Sequence, residues 1–266
     1  GVILEPFNPL AVAIALDARG PNNTITLDEV SCLLALIEST SVIQRGAADV
    51  MITGGSGTRI NLTRILYRGD QQWSHRHDDP QAACRPFDAA RDGGVIGEGA
   101  AGFVLESRAH AERRGADILC RIMGSGSGFE EMNRAPEERG NAIRHAIQTA
   151  LRSAGLGPTE IGHVNAHGSS MIEPDRIEAR AIRDCLGDVP VTAPKSYFGC
   201  LGAGTGAVEM ACSVLAIARN RVPPTLNYEQ PDPTCPLNVI HGQPLGGAKP
   251  FALLLNQSET GQAAAV

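Results

Sequence analysis

The 266-residue chain is predicted to fold as an α/β protein with mixed, largely buried sheets. Apolar, β-rich runs end again and again in glycine or small residues, and helical patterns alternate with those runs. Glycines, 30 in all, cluster after such runs, where the backbone must turn sharply or approach a ligand closely. The first expected buried strand is residues 49–53, before Gly54-Gly55, and the next is 102–106. Residues 120–123 before Gly124, 163–166 before Gly168, and 251–255 complete the set. Helices are expected at 30–45, with Leu33, Leu34, Ile37, Val42 and Ile43 apolar and Gly46 as the stop, and at 141–154, closed by Gly155. A third, 201–219, is rich in Gly and Ala early and then carries Val208, Met210, Val214, Leu215 and Ile217. The polar, Arg- and His-rich stretch 58–83 reads as a surface excursion, and 258–266 as a frayed tail.

Composition narrows the function. With 42% hydrophobic and 20% charged residues, the chain is long enough to bury a large core. A net charge of -6 argues against nucleic acid as a general partner, because phosphate binding needs a concentrated basic surface. No apolar run approaches the roughly 18–20 residues of a membrane span, and no secretory signal is expected. Seven scattered cysteines without a CxxC pair suggest neither a disulfide framework nor a zinc or other metal site, so a cytoplasmic location is expected. Gly124-x-Gly126-x-Gly128 lacks the third-glycine spacing and downstream acid of a dinucleotide loop. Gly1 is not an initiator Met, and the sequence is read as beginning partway into a longer chain.

Four ordered stretches carry a resemblance. The first runs from Gly20-Pro21-Asn22 through Glu29 to Arg45-Gly46-Ala47-Ala48-Asp49 and Gly54-Gly55; the second joins Arg85-Pro86-Phe87-Asp88, Arg91-Asp92-Gly93 and Gly97-Glu98-Gly99-Ala100. The third is Val164-Asn165-Ala166-His167-Gly168-Ser169-Ser170 with Asp175 and Glu178 behind it; the fourth is Lys195-Ser196, Gly199 and Gly206-Ala207-Val208-Glu209. Together they resemble the β-ketoacyl-ACP synthases of the thiolase superfamily. The resemblance implies a thiolase-like fold of duplicated α/β halves, with mixed five-stranded sheets in a layered αβαβα arrangement. Residues 1–119 would be the remaining part of an incomplete first half and 120–257 the second half, with 258–266 as the tail.

Family members attack with a cysteine at a helix N-terminus, where orphan amides and the dipole favour thiolate. Counting back from Gly46 and Gly54-Gly55 puts that position at Glu29, with Asp28 before it as an expected helix cap. A carboxylate accepts an acyl group only as a high-energy anhydride, so transacylation is expected to be lost. His167 matches the first catalytic histidine and Lys195 the family lysine, whereas Cys200 stands where the second histidine belongs. Cys32 is read as a small buried residue rather than a displaced nucleophile. Leu245-Gly246-Gly247 is aligned with the glycine-rich run that gates the acyl site, its aromatic gate gone. Arg85, Asp88, Arg91, Asp92 and Glu98 are read as a buried network between the halves, with Lys195 and Glu209 as a second charge pair. Arg76 is placed at a carrier-protein contact, a patch that Arg59, Arg64 and Arg68 would extend.

The resemblance then implies a non-condensing, chain-length-factor-like subunit. Its partners would be an acyl carrier protein and an active ketosynthase, or a second copy of itself, with no cofactor beyond the carrier's phosphopantetheine arm. The alternatives are a malonyl-ACP decarboxylase and a condensing enzyme that uses Cys32.

Overall fold

The computed structural model describes residues 9–61, 65 and 73–266. After a short helix α1 (Pro9–Ala15), a 3-10 turn at Asp28–Val30 leads into α2 (Ser31–Gln44) and β1 (Val50–Thr58). Then come β2 (Glu98–Glu106), α3 (Arg108–Arg113), β3 (Gly126–Phe129), α4 (Asn141–Ala154) and β4 (Ile161–Asn165). α5 (Ile172–Leu186), β5 (Pro190–Thr192), α6 (Lys195–Phe198) and α7 (Thr205–Ala218) follow. The chain closes with β6 (Arg221–Val222), β7 (Asn238–Val239), β8 (Leu245–Gly246), β9 (Phe251–Gln257) and β10 (Gln262–Ala265).

The main sheet has six strands in the order β3-β10-β9-β4-β5-β7, one more than expected. β9, β4, β5 and β7 run parallel, and β10 is antiparallel to both of its neighbours. One face, with Val164, Val191, Leu253 and Leu255, packs on Ile143 and Ile147 of α4 and Ile177 and Ile182 of α5. The opposite face presents Leu254 and Ala264 to Val30, to Leu33 and Leu36 of α2 and to Met210 of α7; Phe103 and Leu105 of β2 close that cluster from the far side. Two helices are thus sandwiched between the large sheet and the β1-β2 pair. This gives four successive layers of the expected arrangement: helices, sheet, helices, sheet.

Several expectations change. Residues 258–266 are no frayed tail: β10 lies inside the sheet with Ala263, Ala264 and Ala265 fully buried, held because small residues let two neighbouring strands close on it. Residues 120–123 are not a strand. The ladder with β10 runs only from Gln262↔Phe129 to Ala265↔Gly126, so regular pairing begins at Gly126. The nearby glycines have a packing role, since a Cβ at Gly124, Gly126 or Gly128 would stand 2.5, 2.3 or 2.5 Å from the carbonyl oxygens of Ala150, Ala146 and Ala142 on α4. Strands β1 and β2 are half-buried rather than buried. Thr53 and Phe103 turn inward, while Ile52 and its register partner Val104 stay exposed, because one face alone is covered among the described residues.

The turn network is narrower than expected. Arg85 pairs with Asp88 at 3.2 Å, and Arg91 reaches Asp175 at 3.5 Å and Asp232 at 2.7 Å. Asp92 and Glu98 lie outside it, on the surface, where short local partners satisfy them: Ser74 for Asp92 and Thr58 for Glu98.

Candidate functional site

The C-terminal end of β4, the 28–30 turn before α2 and the segment after α6 converge on one buried cluster. β4 ends in Asn165, and the chain turns through Ala166 to His167, which is 3% exposed. Glu178 of α5 accepts from the backbone amides of His167 at 2.7 Å and Gly168 at 2.9 Å, which fixes the loop that aims the imidazole. Gly168 has φ +45, and a Cβ there would stand 2.6 Å from Ala193, so the turn requires glycine.

Lys195 opens α6 and is 1% exposed. Its ammonium donates to Glu209 at 2.9 Å and to the His167 carbonyl at 2.7 Å, and lies 3.0 Å from His167 Nδ1. Those three contacts use all three ammonium protons. Nδ1 therefore accepts, and the imidazole carries its proton on Nε2. Burial alone would lower the lysine's pKa, but Glu209 and Glu29 more than offset that and hold the amino group above its ordinary value. Burial and then the Lys195 charge push His167 down to about 3, so the ring is neutral. Asn256 of β9 donates to the second Glu209 oxygen at 2.6 Å, and Asn165 donates to the Glu209 carbonyl and to Ser213, both at 2.8 Å.

Glu29 enters this cluster from the other side. It is 6% exposed, in the turn immediately before α2. Oε1 accepts from the Cys200 thiol at 2.9 Å, while Oε2 stands 3.4 Å from His167 Nε2 and 3.4 Å from Lys195 Nζ. Burial opposes its charge, yet the Lys195 ammonium, the Cys200 hydrogen bond and Arg59 together hold the carboxyl down at about 2. It is a fixed anion. Burial, and then the Glu29 charge beside it, push the Cys200 thiol far above the ordinary cysteine range. A carboxylate of such low basicity is a poor proton acceptor for such a thiol.

Two expectations on this helix tip are corrected. Asp28 does not cap α2: it sits at φ +53 and pairs with Arg59, while Ser31 Oγ accepts from the Leu27 amide at 2.8 Å and donates to the Asp28 carbonyl at 2.5 Å. Arg59 belongs to no surface patch, being 2% exposed and 3.8 Å from Glu29 Oε1. An arginine in a polar stretch gave no sign of that burial. Arg64 and Arg68 lie outside the described residues. Cys32 is buried beneath the cluster, and burial followed by the Glu209 charge pushes its thiol up to about 12, as a structural cysteine requires.

The glycine-rich expectation also moves. Leu245 and Gly246 form β8 against β6, with Leu245 packed on Ala216, Val222 and Ile240 and no described contact to Glu29 or His167. Glycines mark a turn without saying where the fold carries it. The β9–β10 connection, residues 258–261, instead follows directly on Asn256 and the charged cluster. Arg76 donates to the Ala90 carbonyl at 2.7 Å and lies 3.9 Å from Asp92, and its side chain stays partly exposed. The sequence reading missed Arg59, Asn256 and Ser213. Only Asn256, a polar residue ending an apolar run, left a signal. Among the described residues no cluster of His, Cys, Asp and Glu is arranged to hold a metal, and no helix is long and apolar enough to cross a membrane.

Two family models match the chain: the β-ketoacyl synthase N-terminal domain over residues 7–111 and the β-ketoacyl synthase C-terminal domain over residues 119–229. A putative polyketide β-ketoacyl synthase 1 of Streptomyces cyaneus is 41% identical over 237 residues, 86% of this chain and 56% of the relative. The 3-oxoacyl-[acyl-carrier-protein] synthase 2 of Mycobacterium tuberculosis is 42% identical over 255 residues, 92% of this chain and 61% of the relative. Among solved structures, a type II PKS acyl-carrier protein in complex with its ketosynthase bound to the hexaketide superposes with a TM-score of 0.90 at 32% identity, covering 97% of this chain and 65% of that one. The ishigamide ketosynthase/chain length factor gives 0.86 at 26% identity, covering 97% and 63%. The chain therefore spans less than two thirds of the length of these relatives.

Proposed function

From the premise that this chain belongs to the β-ketoacyl synthase family and has its thiolase-like fold, we propose that it is a non-condensing subunit of fatty acid or polyketide synthesis. It acts beside a cysteine-bearing ketosynthase as a chain-length factor does. One observation carries the reading: the Glu29 carboxylate stands at the helix tip and faces His167, with the Cys200 thiol bonded to it in place of a second imidazole. The site is filled from within.

Condensation needs a nucleophile that holds the acyl chain and donors that stabilise the enolate or oxyanion. Glu29 offers only an anion held near a pKa of 2, and Cys200 is a weak donor already engaged with it. The same negative charge repels a malonyl carboxylate, which disfavours decarboxylation as the main activity. His167 and Lys195 remain as internal partners of Glu29, and the cluster becomes a rigid joint between the two halves. The acyl carrier protein then delivers phosphopantetheine-borne chains to the partner subunit, and this chain shapes the space they fill.

The test is reconstitution. The full-length protein carrying this segment is co-expressed with a cysteine-bearing ketosynthase and assayed with acyl- and malonyl-ACP. The expected result is a co-purifying complex whose product length differs from that of the ketosynthase alone, with no β-ketoacyl product from this protein by itself. Condensation by the isolated protein overturns the reading, as does carbon dioxide release from malonyl-ACP that His167→Ala abolishes.

A further inference from the structure

Arg59, expected on a surface patch, is instead a buried cation. It follows directly on β1, where its amide donates to the Gly97 carbonyl at 2.9 Å, and its side chain runs inward to the Asp28–Glu29 turn. Gly202, at φ +62, leaves the room. A Cβ there would stand 3.1 Å from Arg59 Nε and 3.5 Å from Cζ, so the guanidinium lies against bare backbone. Three elements meet on this one side chain: the end of β1, the turn carrying Glu29, and the segment carrying Cys200. Its charge acts on Cys200 as well as on Asp28 and Glu29. An unpaired buried guanidinium would be strongly destabilising, so an arginine at this depth requires anions around it.

We propose that Arg59 is a positioning residue of the altered site, a second fixed counter-charge, beside Lys195, for the anion at position 29, seated on Asp28 and accommodated by Gly202. The inference rests on the non-condensing reading and deepens it: Glu29, Cys200 and Arg59 form one mutually dependent unit. Reversal at position 29 alone would leave that cation beside a new thiol, whose ionisation it would favour. Asp28 supplies a built-in control, since its negative charge acts on position 29 with the opposite sign.

The thiol introduced by Glu29→Cys serves as the reporter, in a Cys200→Ser background that prevents disulfide formation between the two positions. Iodoacetamide alkylation at position 29 is followed by peptide mass spectrometry from pH 5 to 10, alone and combined with Arg59→Met, Arg59→Lys or Asp28→Asn. Circular dichroism melts confirm folding. Arg59→Met is expected to raise the apparent thiol pKa by about one unit or more, Arg59→Lys to restore part of the shift, and Asp28→Asn to lower it. Unchanged titration in a folded Arg59→Met variant overturns the proposal, as does a shift of the same sign for Arg59→Met and Asp28→Asn. Should Arg59→Met fail to fold, the Asp28→Asn and Arg59→Lys arms still decide, since no shift in either overturns it. Failure of the subunit reconstitution would leave this titration unaffected, so the two ideas fail separately.

Discussion

The two halves of the molecule are held together differently. The second half is a six-stranded sheet with helices on both faces and an apolar core drawn from β4, β5, β9, β10, α4 and α5. The first contributes two strands, β1 and β2, whose inner residues share the core of α2 and α7 while Ile52 and Val104 remain exposed on the outer face. Between them lies a buried, charged joint. Its Lys195, Glu209, His167 and Glu29 take positions from α6, α7, the β4 loop and the turn before α2. The contrast shows an apolar core holding one region and a buried polar cluster the other, in which the Glu29 carboxylate accepts from a thiol and lies beside the Lys195 ammonium. Burial fixes such a cluster strongly, because each charge depends on the next for compensation.

The comparison is broken most directly at the joint. Glu209→Ala strands the Lys195 ammonium and the Asn256 amide, and is expected to cost about 3–5 kcal/mol in urea unfolding of the full-length protein. A variant as stable as its parent would show that the charges are not coupled.

A smaller effect is expected within the second half, at His163. This ring is 2% exposed, neither of its nitrogens has a hydrogen-bond partner, and burial pushes its pKa down to about 4. The unfolded chain binds the proton more readily, so the stability gained by keeping the ring neutral is complete above the ordinary value of 6.5 and lost as pH falls through 4. His163→Phe should therefore flatten the fall in stability between pH 7 and pH 5, by about 1–2 kcal/mol at the lower end. Parallel pH profiles for parent and variant would remove His163 from the account.

The smallest effect sharpens the description of the first half. Ile52→Thr on the outer face of β1 should change stability by no more than about 0.5 kcal/mol, since that side chain is 39% exposed. A loss of several kcal/mol in the full-length protein would mean that this face is covered there.

Much of this was legible in the residue order. The helices α2 and α4 and their glycine stops at Gly46 and Gly155 followed from spacing, because those features are local, whereas His167 and Lys195 were singled out only by the family resemblance. The pairing of Lys195 with Glu209 followed from the rule that a buried charge needs a partner. Other features were not local. Three alanines and a short polar turn gave no hint that β10 fills an interior slot, since small residues read alike in a loose tail and a tight sheet.

The α/β class was legible in residue order alone, and the family resemblance pointed to Glu29, which lies just before α2. The tertiary structure alone decided that Glu29 bonds to Cys200, that Arg59 turns inward beneath it, and that Leu245-Gly246-Gly247 belongs elsewhere. The physical reason is separation along the chain. Glu29 and Cys200 are 171 residues apart, and a contact of that reach is set by how the layers pack rather than by any local preference of the segments it joins.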